Sequence, residues 1–239
     1  MLSGQSLLGK LLRLPLSVIP PQTEARILRG PLRGKKWVVG AASHSCWLGR
    51  YESDRLSEFE RAISPGNTVY DVGANVGIYS LLAAVKAGLS GTVYAFEPAP
   101  RNLQYLRRHM EINHPLNCTI VESAVCGKDG SGRFSSASWA AEMGRLSDAG
   151  EIEVPLVTLD TCIYGEKHFR PPDVVKIDVE GAEMDVLRGA SRAIAEFMPT
   201  VFLEVHGTQL HIDCKAFLIA KGYSVEEGYG RIVAGRPAG

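Results

Sequence analysis

Val69-Tyr70-Asp71-Val72-Gly73-Ala74-Asn75-Val76-Gly77-Ile78 is where the chain declares its architecture. A short apolar run, Thr68 to Val72, meets a glycine-bearing turn, and from Ile78 the apolar spacing becomes helical as far as Ala87. Glycine at 73 and 77 lets the backbone turn tightly without Cβ clashes, and the helix that follows presents unpaired N–H groups to that turn.

Outward from this turn the same alternation repeats. Nearly continuous apolar runs at Thr92 to Phe96, Cys118 to Glu122, Val174 to Ile177 and Thr200 to Val205 read as buried parallel strands. Helical spacing fills the intervals at Pro100 to Asn113, Glu183 to Ala195 and Gln209 to Lys221. Gly127 to Asp160 breaks the pattern with Gly, Ser and polar residues and one strand at Glu153 to Thr158, which predicts an insertion over one rim of the sheet. Tyr223 to Val225 and Arg231 to Val233 flank Gly228-Tyr229-Gly230 as a closing hairpin.

Before the first strand, Ala25 to Leu28 and Lys36 to Val39 read as short β segments. Arg50 to Ile63 reads as a helix stopped by Pro65-Gly66. The expected division is therefore an N-terminal arm and appendage over 1–65 and one α/β domain over 66–239. A length of 239 residues with 45% hydrophobic content suits a single core of that size.

Twenty-six Lys plus Arg against 26 Asp plus Glu leave no net field to hold a polyanion, so no nucleic-acid partner is suggested. Five scattered cysteines without a CxxC imply neither a zinc site nor a disulfide framework. No run reaches the roughly 20 apolar residues that cross a bilayer, and Leu7 to Leu14 lacks the features of a secretory signal. The expectation is a cytoplasmic protein whose N-terminal arm packs on the domain, with a membrane-peripheral contact through that arm as the alternative.

The turn after the first strand is not a dinucleotide fingerprint. From Gly73 the pattern G-x-G-x-x-G would need glycine at 75 and 78, where Asn75 and Ile78 stand. Asp71 puts a carboxylate where a pyrophosphate would be repelled and an ammonium welcomed, which favours S-adenosylmethionine over NAD. Glu97 ends the next strand, where ribose hydroxyls are gripped in such sites, and Ser123 with Ala124 follows the third strand at the expected adenine edge.

The segments Tyr70 to Gly77, Ala95-Phe96-Glu97-Pro98 and Lys176-Ile177-Asp178-Val179-Glu180-Gly181-Ala182-Glu183 resemble the signature of FkbM-type methyltransferases. The similarity spans about residues 66 to 207. It implies a class I methyltransferase Rossmann-like sheet, mostly parallel with an antiparallel edge strand, and O-methylation of a sugar, glycolipid or natural-product hydroxyl. By the same resemblance Asp71, Gly73, Asn75 and Gly77 form the cofactor loop, Glu97 holds the ribose, and Asp178, Glu180 and Glu183 line the rim.

Asp178 and Glu180 follow one central strand, and Glu204 with His206 ends the next, so four titratable groups should converge where a methyl group is delivered. His206 or a carboxylate could take the proton of an alcohol acceptor. Alternatively, Asp178, Glu180 and Glu204 could hold magnesium, which favours oxygen ligands. Glu183 reads as a helix first-turn acid and His211 as a surface residue. N-methylation and a non-catalytic S-adenosylmethionine-binding module stay open at this point.

Overall fold

The computed structural model describes residues 18–115, 117–135, 145–146, 149–228 and 230–237. The Leu7 to Leu14 arm lies outside the described residues, as do residues 136–144 and 147–148 of the expected insertion. In chain order the elements are β1 (Glu24–Arg26), β2 (Lys36–Val38), α1 (Ser53–Ala62), β3 (Thr68–Val72), α2 (Ile78–Ala87), β4 (Thr92–Phe96), α3 (Pro100–Asn113) and β5 (Cys118–Val121). There follow β6 (Ala124–Val125), β7 (Gly130–Ser135), β8 (Arg145–Leu146), β9 (Ile152–Val157), α4 (Leu159–Tyr164) and β10 (Val174–Ile177). The chain continues through α5 (Glu183–Gly189), α6 (Ser191–Phe197), β11 (Thr200–Glu204), α7 (Thr208–Ala220), β12 (Ser224–Gly228) and β13 (Arg231–Gly235).

Seven strands form the central sheet in the order β12-β13-β11-β10-β3-β4-β5. β11, β10, β3, β4 and β5 pair in parallel, while β13 runs antiparallel to both of its neighbours. The reversed strand is therefore one in from the edge rather than the edge strand itself. After α7 the chain enters at the outermost position, and β13, paired with β12 from Gly228 opposite Arg231, lies between β12 and β11.

Period-two alternation loads both faces of the sheet. Val69, Val93, Ala95 and Val174 join α1, α2 and α3 in one core, while Tyr70, Val72, Phe96, Val175 and Ile177 join α4 to α7 in the other. The first core also takes in Ile27, Trp37, Val38 and Trp47, so the described part of the appendage shares its interior with the domain. His109 of α3 binds the two together. Its ring stacks on Trp37 at 3.7 Å, its Nε2 accepts from the Val38 N–H at 3.0 Å, and its Nδ1 lies 2.7 Å from the Val76 carbonyl.

The expected insertion is a separate four-stranded sheet in the order β6-β9-β7-β8, with Phe134, Val154 and Leu156 as its own small core. The helix anticipated over Glu183 to Ala195 is two helices, broken at Ala190. At the end of the first, a Cβ on Gly189 would lie 2.2 Å from the Cys126 carbonyl, so the backbone just after β6 approaches too closely for any other residue.

Candidate active site

The carboxyl ends of β3, β4 and β10 open onto a cavity of about 160 Å³. Gly73 and Asn75 border one side, Glu97 and Asn102 the wall, Ser123 to Val125 with Phe134 the flank, and Asp178 to Glu180 the far end. Gly73 adopts φ 76°, and a Cβ there would fall 1.9 Å from the Asp178 carbonyl oxygen. The glycine is thus what lets the first turn lie directly against the turn after β10.

Glu97 is buried and fully engaged with the loops around it. Its Oε2 accepts from the Asn75 N–H at 2.8 Å, and its Oε1 accepts from the Ala99 N–H at 2.8 Å and from the Asn102 amide at 3.3 Å. Burial raises its pKa, and these hydrogen bonds pull partly the other way. The carboxylate therefore fixes Asn75 and the start of α3 while still facing the cavity.

Asp71 departs from its expected place. It shares the face of β3 with Val69, so its carboxylate points under α2, where Ser80 donates to Oδ2 at 2.6 Å, and it does not line the cavity. Its partner is Lys176, its register mate on β10, whose Nζ lies 3.3 Å from Oδ1 and donates to the Gly73 carbonyl at 2.7 Å. Burial works against the lysine's charge, but Asp71 and Asp178 outweigh it and raise the pKa. Asp71 thus shapes the cofactor turn through Lys176. Gly77 likewise lies beside the cavity rather than in its wall, as the left-handed residue before α2, packed on Leu106.

His206 does not line the cavity itself but adjoins its far end: Asp178, Glu180 and His206 each offer a ligand-type atom within 4.8 Å of the others. His206 Nδ1 lies 2.8 Å from Glu183 Oε1, and its Nε2 lies 3.4 Å from Glu180 Oε2. Glu183, a rim residue by the resemblance and a first-turn acid by its place in the helix, is buried, and its Oε1 also accepts from the Gly181 N–H at 3.0 Å. A carboxylate can only accept, so Nδ1 carries the proton and Nε2 is the free base of the neutral ring. Burial lowers the imidazole pKa, but the Glu183 hydrogen bond and the Glu180 and Asp178 charges reverse this and leave it raised.

Glu204 does not join this group. Its carboxylate is held by Arg55 of α1 at 2.6 Å. The all-oxygen set expected for magnesium, Asp178 with Glu180 and Glu204, is therefore not assembled, and an imidazole stands beside the two remaining carboxylates. That mixed donor set does not fit magnesium. Tyr51, which no sequence pattern singled out, also lines the cavity, and burial followed by Glu52 raises its phenol so that it stays a hydrogen-bond donor. His211 pairs with the exposed Glu227 at 3.0 Å, away from the site.

Residues 71–225 match the Methyltransferase FkbM domain. The chain belongs to the FkbM methyltransferase family. It is 28% identical over 208 residues to 31-O-demethyl-FK506 methyltransferase FkbM of Streptomyces tacrolimicus, covering 72% of this chain and 78% of that one. It is 26% identical over 158 residues to the hexuronic acid methyltransferase AglP of Haloferax volcanii, covering 66% and 63%. A crystal structure of methyltransferase FkbM from Methylobacillus flagellatus KT superimposes with TM-score 0.54 at 16% identity, over 80% of this chain and 53% of that chain. An S-adenosylmethionine-dependent O-methyltransferase from Thermotoga maritima shares the fold at TM-score 0.50 and 11% identity, covering 77% and 65%.

The cavity of this FkbM-family chain fits S-adenosylmethionine. Its described lining carries three carboxylates, Glu97, Asp178 and Glu180, and no Lys or Arg, which suits a ligand bearing an ammonium and a sulfonium and opposes a pyrophosphate. Glu97 stands where it could accept from ribose hydroxyls, and Ser123 to Val125 with Phe134 offers a mixed polar and apolar edge for a base.

Proposed function

We propose that the enzyme transfers a methyl group from S-adenosylmethionine to a hydroxyl of a sugar, glycolipid or natural-product acceptor, with His206 as the base. The observation that carries this reading is the hydrogen bond between His206 and the buried Glu183, next to Glu180 and Asp178 at the acidic end of the cavity. The bound cofactor would supply an activated methyl on a sulfonium, so alignment of the acceptor does much of the work. A neutral alcohol still has to lose a proton. His206 Nε2 can receive it, Glu183 holds the ring in the required tautomer, and Glu180 faces the imidazolium that forms. Asp178 and Glu180 would meet the acceptor, while Gly73, Asn75, Glu97, Ser123 and Ala124 would hold the cofactor.

The names of the FK506 31-O and hexuronic acid relatives point to oxygen-bearing acceptors and support a hydroxyl. The test is transfer of label from S-adenosylmethionine to a panel of sugars, glycolipids and polyketide-like alcohols, with the product mapped by atom. Label on oxygen that depends on His206 supports the reading. Label on nitrogen, with His206→Ala fully active, overturns it.

A further inference from the structure

The cavity does not end at Glu180. Leu146, Glu180 and Ala182 border both the cavity and an open groove of about 560 Å³, which runs between the four-stranded sheet and the start of α5. The two spaces differ in charge: the cavity's described lining holds only acidic groups, while the groove presents Lys128 and Arg133.

Neither cation has a salt-bridge partner among the described residues. Arg133 Nε donates to the Gly150 carbonyl at 2.7 Å, which fixes the base of the guanidinium and leaves its terminal nitrogens without a hydrogen-bond acceptor there. A guanidinium held by its root is preorganised for a two-pronged grip on a carboxylate or phosphate. Asp185, beside Gly127, is paired with Arg188 at 3.2 Å, and Glu180 is where the groove meets the cavity. An anionic group is therefore favoured in the groove, at Lys128 and Arg133, over the cavity, whose charged lining residues are all acidic, and a neutral hydroxyl is favoured toward Glu180.

We infer that this groove seats the acceptor, and that the acceptor carries an anionic group, carboxylate or phosphate, gripped by Lys128 and Arg133. The inference rests on the proposed hydroxyl methylation and narrows its substrate class to acidic sugars or sugar phosphates.

Calorimetry on the full chain saturated with S-adenosylhomocysteine tests it, with glucuronate, glucose 1-phosphate and the neutral methyl glucoside as probes. At least one anionic sugar should bind about tenfold or more tightly than the neutral one, the scale of one to two charge-assisted hydrogen bonds. A preference for glucuronate alone assigns a carboxylate, and for glucose 1-phosphate alone a phosphate. Lys128→Gln combined with Arg133→Gln should erase the preference with S-adenosylhomocysteine affinity and thermal midpoint unchanged. Equal binding of all three probes, binding of none, or a preference that survives the double substitution overturns the inference. Label transfer to neutral and anionic hydroxyl acceptors at equal efficiency would also overturn it while leaving the hydroxyl reading intact. An anionic preference with label only on nitrogen acceptors would instead sink the hydroxyl reading.

Discussion

Glu183 and His206, 23 residues apart in sequence, meet through a 2.8 Å contact between carboxylate Oε1 and imidazole Nδ1. The first residue of α5 thereby orients the imidazole that follows β11. Replacing His206 with Ala should lower turnover by about 10²–10⁴-fold, the usual contribution of a general base, with S-adenosylhomocysteine affinity nearly intact. Turnover and calorimetry on the same preparation check both halves. Unchanged turnover removes His206 from the mechanism.

The same contact sets a pH dependence. The imidazole must be neutral to accept a proton, and its pKa is raised by Glu183, Glu180 and Asp178 against the opposing effect of burial. The acid limb of the kcat/KM profile should therefore have its inflection above the ordinary histidine value, about 6.5. Glu183→Gln removes the largest raising influence, so the inflection should move to lower pH and kcat should fall more than KM changes. A profile unmoved by Glu183→Gln would reduce Glu183 to a packing residue.

Much of this was legible before the structure. β3, α2, β4, α3 and β10 follow the apolar periodicity residue for residue, because strands buried on both faces and helices buried on one leave different spacings. Side-chain partnership was less legible. Position in the turn alone puts Asp71 on the ligand side, but alternation along β3 and its register with Lys176 send it beneath α2. Glu204 sits two residues before His206, as the alternation argument required, yet Arg55 from the appendage claims it. Such a pairing depends on a contact across 149 positions, which no local pattern encodes.

Because Glu204 is taken by Arg55, activity should survive chelation. Turnover in excess EDTA should match that of the untreated enzyme, and added magnesium should not raise it. Loss in EDTA with recovery on adding manganese or zinc would show that Asp178, Glu180 and His206 act on a cation, replacing the base reading.

Glu97 carries two duties, so its removal should be visible twice. Glu97→Ala should weaken S-adenosylhomocysteine binding by about 1.5–3 kcal/mol, the range for a hydrogen bond to a charged group. It should also lower the thermal midpoint, since the Asn75 and Ala99 N–H groups lose their acceptor. NAD should bind to neither form. Unchanged affinity together with a lowered midpoint would leave Glu97 as a loop fastener alone.

His109 ties the appendage to the cofactor turn, and its protonation should loosen both. In the folded chain Nδ1–H donates to the Val76 carbonyl and Nε2 accepts from the Val38 N–H, so the ring is bound in its neutral form. Burial lowers its pKa to about 4, against the partly opposing Val76 hydrogen bond. The sign follows from linkage. The unfolded chain binds the proton first, so this stabilisation is complete above about pH 6.5 and is lost as pH falls toward 4, by at most about 1.4 kcal/mol per unit. His109→Ala should remove that acid sensitivity and cost about 1–3 kcal/mol for each backbone group left unpaired. It should also weaken S-adenosylhomocysteine binding, because Val76 lies within the turn that borders the cavity. Urea melts of both proteins between pH 4 and 8 measure the first two effects, and calorimetry at pH 8 the third. If the two pH–stability curves run parallel through that window, the acid sensitivity belongs to another group.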